Sequence, residues 1–185
     1  FNPAKCATLY IGAGRAGRVR PMTLRIQGQL VRAMAEGEAY EHLCIPMGFG
    51  VNQTPHAAIR AFRDDLASVE RSLLAPWQRT EAVATFLLPR LDILLRGAAV
   101  EKGPLKELDL QIRRSCKTWL NLLQRASAEM VYMPPRKGGC GLLLLADLAD
   151  VLTIAYVFRL LTADDRLVRD LAWASLRRVV ARRVG

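Results

Sequence analysis

Glycine, carboxylate, thiol and arginine side chains offer this chain four routes to chemistry, and each must meet a geometric requirement. Gly12-Ala13-Gly14-Arg15-Ala16-Gly17 matches the GxGxxG spacing, with Glu36 further on as a ribose partner. That motif works when a helix begins at the glycine turn and aims its amide groups at a pyrophosphate. Here Arg18-Val19-Arg20-Pro21 follows, and Pro21 stops any such helix after about one turn. A basic hairpin loop fits the segment better. Asp64-Asp65 and Asp164-Asp165 are adjacent carboxylates, but neighbours on a helix diverge by about 100° and do not converge on a metal. Asp64 has Arg60 one turn away as an ion-pair partner, and Asp164-Asp165 suits a helix start. Cys6, Cys44, Cys116 and Cys140 lie far apart, with no CxxC and only His42 and His56 as imidazoles. Neither a zinc site nor a disulfide framework is indicated, and reduced buried thiols are expected. The serines lack a Gly-x-Ser-x-Gly elbow.

Arginine is the strongest of these signals. The net charge is +10, and 22 of the 27 basic residues are arginine. Lys5, Arg15, Arg18, Arg20, Arg25 and Arg32 precede the first acid, Glu36. Arg166, Arg169, Arg177, Arg178, Arg182 and Arg183 crowd the last twenty positions against Asp170 alone. Guanidinium groups suit bidentate contact with phosphate, so a polyanionic partner is expected, with nucleic acid ahead of a membrane surface. No run of about 20 apolar residues is present to span a bilayer. No basic-then-apolar leader is visible, and the start at Phe1 reads as a piece of a longer intracellular protein.

Two kinds of element must position these groups. Residues 1–50 read as short strands at Ala7 to Ile11, Thr23 to Gln27, Gln29 to Met34 and Glu41 to Ile45, with Gly28 in a tight turn or bulge. From Thr54 the apolar period lengthens to about 3.6. Thr54-Pro55 starts a helix with Ile59, Phe62, Leu66, Val69 and Leu73 on one stripe. A second helix from Trp77 must kink or end at Pro89. A third carries Leu105, Leu108, Ile112, Cys116 and Leu120. Met130 to Met133 reads as extended before the Pro134-Pro135 and Gly138-Gly139 loop, and two helices follow, at about 144–161 and 165–182. Thr162 with Asp165 has capping-box spacing for the last. Trp77 and Phe86 fall at helical positions where core packing is the expected role. The fold class is α+β, short β-hairpins followed by a mostly helical bundle.

Local signatures along the chain resemble one family in order. Asn2-Pro3-Ala4-Lys5-Cys6 resembles the stretch after the catalytic strand of a reverse transcriptase palm. Tyr40-Glu41-His42-Leu43-Cys44-Ile45-Pro46-Met47-Gly48 is similar to the primer-grip hairpin, Tyr-x-x-Leu-Gly-x-Pro-x-Gly. Ser72 to Arg79, Thr85 to Leu91, Lys117 to Leu122 and Gly138 to Leu143 resemble the thumb and beyond of non-LTR retrotransposon polymerases, most of all the type I elements that insert into ribosomal RNA genes. The resemblance covers residues 1–161. Cys44 stands where the family carries glycine, and Leu123 and Leu144 where close relatives carry proline.

The resemblance implies the end of a palm at 1–50, a helical thumb at 51–130 and a connector with a basic last helix at 131–185. It implies a part of an RNA-directed DNA polymerase, with an endonuclease elsewhere in the parent, gripping RNA template and DNA primer for target-primed reverse transcription. Tyr40, Leu43, Cys44, Pro46, Gly48, Gln78, Arg79, Arg90 and Arg96 would touch nucleic acid. Lys5 would assist near the incoming nucleotide. The Mg2+-binding aspartates would lie upstream, so this stretch alone is expected to be inactive, with no cofactor of its own. Nuclear location and contact with the fingers, palm and endonuclease of the parent follow from the same likeness. The rival reading is a non-enzymatic helical nucleic-acid-binding protein descended from such an element.

Overall fold

A computed structural model describes residues 2, 5–12, 18–42 and 45–184. The chain divides into two units, Phe1–His56 with Ala98–Val100, and Ala57–Gly97 with Glu101–Gly185. Short strands make up the first and helices the second, so the architecture is α+β.

In the first unit β1 (Ala7–Thr8) pairs in parallel with β3 (Gln29–Ala33), and β3 pairs antiparallel with β2 (Leu24–Ile26). The β2–β3 turn is built on Gln27 and Gly28, both with positive φ. Two consecutive positive-φ residues match the right-handed twist of the flanking strands, so Gly28 marks a tight turn rather than a bulge. Ile11 and Val19 bridge antiparallel, and the Arg20 amide donates to the Tyr10 carbonyl at 3.0 Å. The chain leaving the glycine-rich segment is thus extended, which removes the helix a pyrophosphate site would need. Positions 13–17 of that motif lie outside the described residues.

The strand expected at 41–45 is instead two strands, β4 (Tyr40–His42) and β5 (Ile45–Met47), paired antiparallel with Tyr40 opposite Met47. Pro46 sits within β5 because that strand has a neighbour on one side only and its missing amide hydrogen leaves no ladder bond broken on the other. Val31, Met34 and Ile45 are the buried apolar residues of this unit.

The helices of the second unit are α1 (His56–Arg71), α2 (Pro76–Ala82), α3 (Pro89–Gly97), α4 (Lys102–Trp119), α5 (Glu129–Tyr132), α6 (Leu145–Leu161) and α7 (Arg166–Val184). Ile59, Phe62 and Leu66 are buried as their spacing predicts. Leu73 is not, since α1 ends at Arg71 and Leu73 is fully exposed.

The second helix is interrupted just before Pro89, where Leu88 is a turn residue and α3 begins. Val83–Leu87 form a π-helical segment between α2 and α3, and the Leu88 amide reaches back five residues to the Val83 carbonyl at 3.0 Å. The wider turn accommodates the proline, which lacks an amide hydrogen and would crowd the carbonyl four residues earlier. It also keeps Val83, Leu87, Leu88 and Leu91 on the buried side.

The core joins these residues to Leu94, Leu95, Leu105, Leu108, Ile112, Cys116, Trp119, Val131, Leu142, Leu145 and Leu152. Met130–Met133 is a helical turn rather than an extended piece. Val131 is wholly buried there, and its carbonyl accepts the Leu142 amide at 3.1 Å as the following loop folds back. The loop turns at Gly138, with φ +84°, and Gly139 lies so close to the Met133 carbonyl that a Cβ would approach it to 2.0 Å.

Asp165, rather than Thr162, caps α7. Its Oδ1 accepts the Leu167 amide at 2.8 Å and the Val168 amide at 3.3 Å, while the Thr162 hydroxyl donates back to the Phe158 carbonyl at the end of α6. The Asp64–Arg60 pair is absent among the described residues, and Asp65 pairs with Arg90 instead. Trp77 and Phe86 are 61% and 67% exposed, so neither is core. Both lie on the solvent side of the α2–π–α3 helix, whose opposite side carries the leucines. Of the thiols described, Cys116 is buried, and Cys6 and Cys140 are half-buried.

Candidate nucleic-acid interface

The hairpin region is held by backbone contacts that glycine makes feasible. At Gly48 a Cβ would lie 2.4 Å from the Glu38 carbonyl and 2.6 Å from a Val51 methyl, so the two ends of the hairpin close only on a residue without a side chain. The Gly37 amide donates to the Phe49 carbonyl at 3.2 Å, and Glu38 accepts the Ala35 amide at 2.8 Å while pairing with Arg32. The half-buried Tyr40 ring ends in a hydroxyl that donates to the Lys5 carbonyl. Two residues named independently, Lys5 and Tyr40, are therefore tied together through Lys5's backbone, which leaves its ammonium exposed. Pro46 is half-buried in β5. Leu43 and Cys44 lie outside the described residues.

The helical candidates carry structural duties. Gln78 accepts the Ala75 amide at 2.9 Å through Oε1, capping α2 from within. Arg79 is half-buried and donates through Nη2 to the Ser72 carbonyl at 2.8 Å, while its Nε is buried without a partner among the described residues. Arg90 pairs with Asp65 across α3 and α1, and Arg96 pairs with Asp92 one turn earlier at 2.7 Å. Exposed pairs of this kind are worth about 0–1 kcal/mol, small enough for a phosphate to exchange for the carboxylate.

Cations without an ion pair among the described residues stand elsewhere on this unit. Arg114 lies on the exposed side of α4, Arg125 on the loop after it, and Arg136 and Lys137 on the turn before α6. Gln124 joins the first two, its Nε2 donating to the Arg114 carbonyl at 3.3 Å and to the Thr118 hydroxyl at 3.1 Å. Their signal in the sequence is weak, since isolated arginines on loops look like any solvated face.

Two charged residues that carry no expected site role, Asp109 and Lys117, are buried, and both are structural. Asp109 on α4 accepts the Leu145 and Ala146 amides, at 2.8 and 3.2 Å, and so caps α6 from a neighbouring helix. Burial pushes its carboxyl above the ordinary 3.8, and the two amide bonds oppose that rise. Its signal is position, since Asp109 shares a helix side with Leu105, Leu108 and Ile112. Lys117, also buried, donates through Nζ to the Gln124 carbonyl at 3.0 Å and to the Ala126 carbonyl, pinning the loop that carries Arg125. The Cys116 thiol is pushed up to about 12, chiefly by burial and also by Cys140, so it is no nucleophile at neutral pH.

Among the described residues no three His, Cys, Asp or Glu side chains converge to hold a metal. No helix among them is long and apolar enough to cross a membrane. The first unit offers a glycine-closed hairpin, and the helical unit carries scattered exposed guanidinium groups of a kind that suits phosphate.

No protein-family model matches the chain. An uncharacterized protein of Caenorhabditis elegans, T26G10.4, is 25% identical over 186 residues, which take in the whole chain and 53% of that protein. The Retrovirus-related Pol polyprotein from type-2 retrotransposable element R2DM of Drosophila melanogaster is 31% identical over 110 residues, 57% of this chain and 10% of the polyprotein. The corresponding polyprotein from type-1 element R2 of Popillia japonica is 25% identical over 144 residues, 77% of this chain and 23% of its own length. The chain thus spans about half of the worm protein and a smaller share of the polyproteins. Over these partial stretches the chain is related to the Pol polyproteins of R2 retrotransposable elements.

Proposed function

We propose that the chain is the palm end and thumb of a non-LTR retrotransposon reverse transcriptase and that it clamps the RNA template–DNA primer duplex for target-primed synthesis. The observation that carries this reading is the order of parts in a chain related to R2 Pol polyproteins. A glycine-closed hairpin at Tyr40–Met47 comes first, and a helical unit with exposed guanidinium groups follows.

On this reading Tyr40, Leu43, Cys44, Pro46 and Gly48 hold the primer terminus through backbone and small surfaces, and Lys5 faces the incoming nucleotide. Gln78, Arg79, Arg90 and Arg96 lie along the duplex. Arg114 and Arg125 add phosphate contacts that carry no sequence information. The Mg2+-binding aspartates, the fingers and the endonuclease belong to other parts of the parent, which acts in the nucleus, and this stretch alone does not polymerise.

One observation favours a second reading. The worm relative matches the whole chain over 53% of its own length, whereas the Drosophila polyprotein matches 57% of the chain over 10% of its length, so this chain also has a counterpart in a protein of quite different proportions. That suits a non-enzymatic nucleic-acid-binding protein derived from such an element.

The deciding experiment is binding of the chain to a short RNA–DNA hybrid, to each single strand and to heparin across a salt series. The clamp predicts preference for the hybrid and a log–log salt slope of several, about 0.9 per phosphate contacted. Equal, weak binding to every polyanion would sink it. Hybrid binding with no primer extension after addition of the missing palm would leave the second reading standing.

A further inference from the structure

The surface that neither reading uses is the pair α6–α7. The first half of α6 is locked in the core through Leu145, Ala146, Ala149 and Leu152, but α7 has no buried residue along its whole length. Between the two helices runs an open groove of about 480 Å³ lined by Val157 and Leu160 of α6 and by Val168, Leu171, Ser175 and Val179 of α7, among others. The α7 positions recur at intervals of three and four, so they form one continuous stripe. Leu171 and Val179 are 60% and 55% exposed, a poor resting state for apolar side chains on a well-formed helix.

The charges around the stripe indicate what would cover it. Arg178 and Arg182 stand seven residues after Leu171 and Ser175, which places them on the same side of α7 as the stripe, toward its C-terminal end. Asp170, the only acid on α7, faces away, about 140° round the helix from the stripe, and pairs with Arg166. Asp165, at the near end, is spent on capping. Two copies meeting on this face would bring Arg178 and Arg182 of one against those of the other, with no acid of α7 on that side to offset them, so self-association is disfavoured. A nucleic acid would satisfy the arginines but leave the valines and leucines wet.

We propose that the α6–α7 groove is a docking site for an acidic amphipathic helix of another protein segment. Its apolar stripe would seat between Leu160 and Leu171, and its flanking carboxylates would meet Arg178 and Arg182. The third helix completes a small bundle and buries the face that α7 leaves open.

The test uses the whole chain and a labelled synthetic helix of about three heptads, with leucine at the a and d positions and glutamate at e and g, where like charges oppose its own dimerisation. Fluorescence anisotropy is compared with a lysine-flanked version bearing the same leucines. The glutamate peptide is expected to bind, and the lysine peptide to bind at least about tenfold more weakly. Leu171→Asp is expected to lower affinity about tenfold or more, and Arg178→Glu with Arg182→Glu to reverse the preference between the peptides. All three positions are exposed, so the variants should keep the wild-type circular dichroism.

Equal binding of both peptides, or no change in Leu171→Asp, overturns the proposal. So does concentration-dependent dimerisation that Leu171→Asp abolishes, which would assign the face to a second copy. Loss of RNA–DNA hybrid binding in the arginine double variant, with no peptide bound by the wild type, would assign it to nucleic acid. Hybrid binding measured on the wild type tests the clamp separately, so the two ideas fail independently.

Discussion

Asp109 shows how much a single buried carboxylate can organise. It stands among leucines on α4 and satisfies two amides at the start of α6, which have no partner inside their own helix. Removing the carboxylate in Asp109→Ala leaves both amides unpaired, and a cost of about 1–2 kcal/mol is expected, read as a lower urea midpoint at unchanged slope. The pH dependence follows from the raised carboxyl. The folded chain binds this proton more tightly than the unfolded chain does, so the group's contribution is fully present below the ordinary 3.8. It declines as pH rises through the higher folded value. Urea midpoints of the wild type from pH 4 upward should therefore lose this increment, and Asp109→Asn should not show it. An acid on an apolar stripe is visible in the sequence, but the pair of amides it would serve, some 36 residues on, is not.

At the scale of elements, the regular helices were legible because their apolar residues repeat at the helical period, and Ile59, Phe62 and Leu66, or Leu105, Leu108 and Ile112, are buried accordingly. Errors arose where local preference met a tertiary demand. Met130-Val131-Tyr132-Met133 has strand-like composition, yet it forms a helical turn because Val131 is drawn into the core and the returning loop supplies partners for its carbonyls. Pro89 does mark an element boundary, as its missing amide predicts, but the π-helical segment that leads into it is not visible in the sequence. The 134–142 loop depends most on close approach. Gly139→Ala would drive a methyl into the Met133 carbonyl, a backbone atom that cannot swing aside. A loss of at least about 2–3 kcal/mol is expected, seen as a fall in Tm of roughly 5–10 °C or more, whereas Gly103→Ala, where a Cβ meets nothing, should leave Tm nearly unchanged.

At the scale of the whole molecule, stability and binding surface are held by different parts. The leucine core of the helical unit ends at Leu152, and α7 adds no buried side chain to it. A chain ending after Thr162 is therefore expected to unfold with a Tm within a few degrees of the full chain and with the same cooperativity, checked by calorimetry. A large loss would mean that α7 stabilises the core in a way its exposure does not show. The same truncation removes six arginines, so it should weaken every polyanion and lower the salt slope without altering preference among them.

The sequence by itself determined the class of the protein: a β-rich start, helices from about residue 54 on, an arginine surplus that suits a polyanion, and ordered motifs that resemble a retrotransposon polymerase. These are properties of composition, period and order, which a chain carries whether or not it is folded. Tertiary structure alone decided which charges are available. Arg79 and Arg90 look like phosphate ligands in the sequence, yet each is engaged by a carbonyl or carboxylate of its own chain. Arg114 and Arg125 look ordinary and have no ion pair among the described residues. It also decided which apolar residues are core, leaving Trp77, Phe86 and the α7 stripe exposed. Helical period specifies which residues share a side, but only the packing of other helices decides whether that side is covered.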